Sequence, residues 1–309
     1  MANAIDMTKR TITGAADGPH LLITGGTHGD EYESMAAIRR LMRDLSPAAI
    51  RGRVTFVPVI NEAAFWNGQR TAEDGLDLAR ICPGKPDGSV SDRTAVAISE
   101  LIRSVDYYID LHSGGHQLDV LPWSGYGLHK DGQVLDAQRR MARAFNLPFI
   151  WGTAGNLDGR TLSIARDAKV PAIYAEYLGG GRLSADGARD YYQGCLNVMA
   201  ELDMIDQPAQ PSRVTLYIED ARPGSGHLQI NFPSPNDGFF ESSVALGQYV
   251  HPGTTIGTVS DFLGDRVDVI QAVHGGIVIC LRVFNRVFKD DCLGVVLNGE
   301  DMSERMVRG

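Results

Sequence analysis

The sequence predicts an α/β protein: a sheet flanked by helices over the first two thirds, then a smaller all-β part. Three observations carry this. Up to Ile205, short apolar runs alternate with amphipathic stretches, the pattern of a layered α/β unit. Asp206-Gln207-Pro208-Ala209-Gln210-Pro211-Ser212 is polar and proline-bearing, as a linker is. Beyond it, short β-like runs are separated by glycine-rich turns, and no helical pattern competes. The expected division is residues 1–207 and 208–309.

In chain order, Leu21-Leu22-Ile23-Thr24 is the first strand candidate and runs into Gly25-Gly26-Thr27-His28-Gly29-Asp30-Glu31. Met35, Ile38, Leu41, Met42 and Leu45 then recur at helical spacing. Val54 to Ile60 reads as a strand ending at Asn61. Val96, Leu101, Ile102 and Val105 mark a second helix, with Ser91-Asp92 as its cap. Tyr107-Tyr108-Ile109-Asp110-Leu111-His112 is a strand that ends in Ser113-Gly114-Gly115. Leu135, Met141, Ala144 and Phe145 predict a third helix. Ile173 to Leu178 predicts a strand before Gly179-Gly180-Gly181, and Tyr192, Leu196, Met199 and Leu202 a fourth helix. The alternation argues for a largely parallel sheet, whose ligands bind outside the carboxyl ends of its strands. His28, Asn61, His112 and Glu176 all fall at or just after such ends. Past the linker, the β candidates are residues 214–218, 243–246, 254–259, 267–270, 276–280 and 294–297.

The chain has 309 residues, 43% hydrophobic and 22% charged, an ordinary balance for a soluble globular protein of about two domains. A formal net charge of −9 argues against a nucleic-acid partner. It says little about a small substrate, because the field inside a cleft can oppose the global sign. Cys82, Cys195, Cys280 and Cys292 form no CxxC pair and are expected to be free thiols in a reducing compartment. Met1 to Arg10 has no apolar core of a signal peptide. No apolar run approaches the ~20 residues of a membrane span. A cytoplasmic protein without a membrane partner is expected.

His28 and His112 each offer a ring nitrogen, and Glu31 an oxygen, from two strand ends on one sheet edge. Three such ligands suit a catalytic zinc ion, which keeps its fourth position for water. The alternative is that Asp30 and Glu31 merely begin a helix, where acidic residues suit the macrodipole. His116 follows His112 by four residues, but Ser113-Gly114-Gly115 is a poor helix, so it is a candidate for the substrate pocket instead. His20, His129, His227, His251 and His274 have no partner spacing.

Four stretches in order carry a resemblance. They are Gly-Gly-Thr-His28-Gly-Asp-Glu31, Asn61 to Arg70, Asp74-Gly-Leu-Asp77-Leu-Ala-Arg80-Ile-Cys-Pro-Gly84, and Asp110-Leu-His112-Ser-Gly-Gly. The series resembles the succinylglutamate desuccinylase/aspartoacylase family of zinc carboxypeptidase-like hydrolases, over most of residues 20–205. The resemblance implies a mixed sheet flanked by helices, with one zinc ion per chain on His28, Glu31 and His112. It implies that Glu176 is the catalytic glutamate that moves a proton from water to the leaving amine. It makes Arg70 the group that steadies the oxyanion, and Asp77 a brace for a metal-bound histidine, expected to be His28. Arg80 and Asn61 are the expected substrate-binding residues. Ala79 stands where the family usually has asparagine before Arg80, so one amide donor to the substrate carboxylate is missing.

Residues 236–240, 247–253, 256–259 and 272–278 look like a biotinyl/lipoyl-type β fold. The turn Val273-His274-Gly275-Gly276 has no lysine, so no swinging arm is expected. This part is expected to shape the cleft or to support homo-oligomerisation. Together these readings point to a zinc-dependent amidohydrolase acting on a small N-acylated amino acid, such as an N-acetyl or N-succinyl amino acid. The rival readings are a deacetylase of an acetylated diamino acid, a carboxypeptidase on short peptides, and a metal-free binding module.

Overall fold

The computed structural model describes residues 5–228 and 231–298. Its first part holds strands β1 (Arg10–Thr13), β2 (Ala16–Thr24), β3 (Arg51–Val57), β4 (Tyr107–Leu111), β5 (Leu118–Val120), β6 (Trp123–Gly127), β7 (Phe149–Thr153), β8 (Ala172–Glu176) and β9 (Leu216–Glu219). The helices are α1 (Tyr32–Asp44), α2 (Glu62–Asn67), α3 (Leu78–Ile81), α4 (Val90–Ile102), α5 (Gly132–Phe145), α6 (Thr161–Asp167) and α7 (Ala185–Glu201). Eight strands form one sheet in the order β1-β3-β2-β4-β8-β6-β7-β9. The sheet is mixed: β1 runs antiparallel to β3 and β6 antiparallel to β8, while the other neighbours are parallel.

Buried parallel strands read as continuous apolar runs because helices cover both faces. β2 shows this. Leu21 and Ile23 pack with Ile38 and Leu41 of α1, Met141 and Phe145 of α5, and Val198 of α7. Leu22 packs on the opposite face with Ile98 of α4 and Ile164 of α6.

The helices and strands predicted for the first part are present with shifted ends. β3 stops at Val57 because Pro58 has no N–H for the ladder. α4 is capped by Ser89, whose side chain and that of Asp92 close a reciprocal box, so Ser91-Asp92 lies inside the first turn. β6 and β7 carry no strand signal in the sequence, since WSGYG and FIWGT lack alternation and include glycine.

The later strands are β10 (Gly238–Ser242), β11 (Tyr249–Val250), β12 (Thr255–Ser260), β13 (Val267–Gln271), β14 (Gly276–Arg282), β15 (Arg286–Val287) and β16 (Gly294–Asn298). They form two further sheets, β13-β12-β10-β15 and β11-β14-β16. The strand expected at 243–246 is instead a turn, in which Ser242 Oγ accepts from the Val244 N–H at 3.2 Å.

Two pairings cross the expected division. β9 lies past the linker, yet it pairs in parallel with β7 and completes the first sheet. β5, just after His112, pairs antiparallel with β14. The change of sheet therefore does not coincide with the 207/208 division, because ladder hydrogen bonds rather than linker composition decide which strands belong together.

Candidate metal centre and active site

β2, β4 and β8 are parallel neighbours, so their carboxyl ends open on one edge. β2 leads into the loop carrying His28 and Glu31. β4 leads directly to His112, and β8 ends on Glu176. Gly29 is required where that first loop passes α2: a Cβ there would lie 2.1 Å from the Ala64 carbonyl carbon. Gly115, in the left-handed region, brings the second loop against Asp30, which accepts from the His116 N–H at 2.8 Å.

Glu31 holds the N-cap position of α1 but makes no side-chain cap. Its carboxylate instead lies between two imidazoles: Oε1 is 2.6 Å from His28 Nδ1, and Oε2 is 3.0 Å from His112 Nδ1. Each ring is anchored on its far side. His28 Nε2 is 3.1 Å from Asp77 Oδ1, and His112 Nε2 is 3.1 Å from Asp110 Oδ2. Carboxylates behind Nε2 direct each Nδ1 toward Glu31, as carboxylates behind metal-bound histidines do. The ligand atoms of His28, Glu31 and His112 all lie within 4.8 Å of one another. Two imidazoles and one carboxylate, converging and nearly sealed from solvent, fit a divalent ion of the zinc type.

The electrostatics are those of a strongly coupled cluster. Burial pushes the Glu31 pKa up, but His28 and His112 outweigh it and hold the carboxylate far below its ordinary range. Burial pulls His112 down, while Asp110 and Glu31 raise it well above its usual value. Asp77 is opposed by burial and lowered overall by His28 and Arg70. Glu176 goes the other way: burial pushes it up to about 8, with His112 pulling down and Glu31 pushing up.

The cavity beside the cluster is lined by His28, Glu31, His112 and Glu176, by Arg70, Arg80 and Arg160, and by the apolar Leu118, Val120, Leu162 and Leu228. The expected metal ligands, Glu176, Arg70 and Arg80 are therefore brought together. Asp77 lies behind them and holds Arg70, accepting from Nη2 at 2.9 Å and from Nε at 3.2 Å. Arg70 Nη1 is also 3.8 Å from Glu31. Asn61 is not among the lining residues; its Oδ1 caps α2, accepting from the Ala64 N–H at 3.1 Å. His116 is held by Asp30 and also does not line the cavity.

Sequence reasoning missed two residues. Asp110 braces His112, and its signal was the Asp-x-His alternation, which puts both side chains on one face of a strand. Arg160 precedes α6 and lines the cavity, with Nε and Nη2 buried and without a hydrogen-bond partner among the described residues. Nothing local marks it, because its place depends on how the loop after β7 folds back. All four cysteines are free and buried. Among the described residues no helix is long and apolar enough to cross a membrane.

The family described as the succinylglutamate desuccinylase/aspartoacylase catalytic domain matches residues 17–202. The N-alpha-acetyl-L-2,4-diaminobutyric acid deacetylase of Halomonas elongata is 31% identical over 298 residues, which cover 94% of this chain and 85% of that protein. The product-bound ectoine utilization protein EutE (DoeB) of Ruegeria pomeroyi superposes with a TM-score of 0.84 at 28% identity, covering 93% of this chain and 87% of that one. A succinylglutamate desuccinylase/aspartoacylase from Rhodobacter sphaeroides gives a TM-score of 0.84 at 26% identity, covering 95% and 90%.

Proposed function

From the premise that this chain belongs to the succinylglutamate desuccinylase/aspartoacylase family, we propose that it is a zinc-dependent deacylase hydrolysing the amide of a small N-acylated amino acid. One observation carries the reading: the His28–Glu31–His112 cluster shares a cavity with a carboxyl group and three guanidinium groups. When bound, a zinc ion supplies Lewis-acid activation of water and of the scissile carbonyl. His28, Glu31 and His112 hold it, oriented by Asp77 and Asp110.

Glu176 takes a proton from the attacking water and passes it to the departing amine, a general base that becomes a general acid. Arg70, pinned by Asp77, presents its guanidinium to the carbonyl oxygen as negative charge develops there. Arg80 and Arg160 bind the substrate's carboxylate, as planar guanidinium groups do well. The later, biotinyl/lipoyl-like part walls the cleft through β14 behind β5, and Leu228, between β9 and β10, lines the cavity as well.

A finer reading has one specific support. The Halomonas elongata relative is named for N-acetylated diaminobutyrate, so an acetylated diamino acid is the first substrate to try. Apart from Glu31 and Glu176, the lining residues among those described include no carboxylate. The test is a hydrolysis screen of N-formyl, N-acetyl and N-succinyl amino acids, acetylated diaminobutyrate and dipeptides, with zinc added. Cleavage of N-acyl amino acids over dipeptides supports the deacylase. Preference for dipeptides favours a carboxypeptidase, and no bound zinc with no hydrolysis favours a binding module.

A further inference from the structure

The dipeptide Arg160-Thr161 serves two functions of the cavity. Arg160 brings an unpaired, buried edge of its guanidinium to the wall. Thr161, buried at the first position of α6, donates its hydroxyl to Asp110 Oδ2 at 2.5 Å. Asp110 is itself fully buried. Its other oxygen, Oδ1, accepts from Thr24 Oγ1 at 3.0 Å. Oδ2 is the oxygen that stands 3.1 Å from His112 Nε2. Thr161 is thus the hydroxyl that acts on the same oxygen as the imidazole.

We propose that Thr161 is a positioning residue for His112: its hydroxyl fixes the Asp110 oxygen that orients the imidazole toward the metal. This rests on the metal reading above. The physical reason is the cost of leaving a buried carboxylate oxygen short of a donor. Without the hydroxyl, Oδ2 is left with the His112 ring while Thr24 and Thr27 still hold Oδ1, so the carboxylate can shift toward them and weaken the contact that sets the tautomer and direction of the ring. Because Arg160 is the adjoining residue, the brace on the metal ligand and the cationic wall of the cavity are parts of one local unit.

The test is zinc affinity of the metal-free full chain, measured by competition with a chromophoric chelator, with folding followed by circular dichroism. Thr161→Val keeps the side-chain shape and removes the donor. It should weaken zinc binding about ten- to a hundredfold, whereas Thr161→Ser, which keeps the hydroxyl, should stay within about threefold of wild type. Wild-type affinity in a folded Thr161→Val protein overturns the inference while leaving the metal reading intact. So does a loss in Thr161→Ser of about tenfold or more, a result readable even if the valine variant does not fold. A wild-type chain that binds no zinc sinks the metal reading and this inference with it.

Discussion

Asp77 Oδ1 lies 3.1 Å from His28 Nε2, while the other oxygen of the same carboxylate accepts from Arg70. One side chain thus holds both the imidazole proposed to bind the metal and the guanidinium proposed to steady the oxyanion. Asp77→Asn keeps the size but gives up charge and one acceptor. It should weaken zinc binding about ten- to a hundredfold and also lower kcat at saturating zinc. Chelator competition and steady-state kinetics read the two effects separately. A loss in only one of them breaks the claim that Asp77 serves both residues.

Glu176 lines the cavity without ligating atoms in the His28–Glu31–His112 cluster. Glu176→Gln should retain zinc at wild-type stoichiometry and lose about a hundred- to ten-thousandfold in kcat. Metal analysis beside a turnover assay checks this. Near-full activity in the glutamine variant would remove the proton-transfer role.

Arg160 has two buried guanidinium nitrogens with no hydrogen-bond partner among the described residues. If they bind the substrate carboxylate, Arg160→Met loses charge-assisted hydrogen bonds worth about 1.5–3 kcal/mol, or roughly ten- to a hundredfold in kcat/KM. An unchanged kcat/KM would assign the carboxylate to Arg80 alone.

Glu219 ties β9 to the rest of the sheet, accepting from Arg139 at 2.7 and 2.8 Å and from Tyr126 at 2.7 Å. The Arg139 bonds lower its pKa from 4.5 to about 2, against an opposing effect of burial. A lowered folded pKa means that the unfolded chain binds more protons in this range. The stabilisation is therefore complete above about pH 4.5, declines as the pH falls, and is gone below about pH 2. Glu219→Gln should flatten the dependence of unfolding free energy on pH across that window. Denaturant titrations at several acidic pH values measure it, and an unaltered slope would disprove the linkage.

Burial pushes the Cys82 thiol up to about 12 and Cys292 up to about 11, and raises Cys195 and Cys280 as well. The thiolate is the reactive form. Thiol reagents at about pH 8 should label none of the four cysteines in the native protein and all of them after denaturation. Rapid native labelling of any one would show that its surroundings open.

The site was partly legible before folding was considered. His28, Glu31 and His112 lie beside glycine loops at strand ends, and that local pattern needs no knowledge of packing. Asp110 was readable in principle from strand alternation. Arg160 and Thr161 were not, because their value comes from contacts with Asp110 and the cavity, 50 or so residues away along the chain. Asn61 shows a use that strand-end position did not reveal: its Oδ1 caps the N-terminus of α2.

By itself, the sequence determined the alternation of strands and helices, the all-β character of the later part, and the residue types able to hold a divalent ion. These depend on periodicity and on local turn chemistry, which act over a few residues. Only the tertiary structure decided that β9 joins the first sheet, that β5 pairs with β14, and that Asp77 and Asp110 stand behind the two histidines. Those outcomes are set by hydrogen-bond partners distant in sequence, chosen to leave few buried polar groups unpaired, and no local window contains both partners.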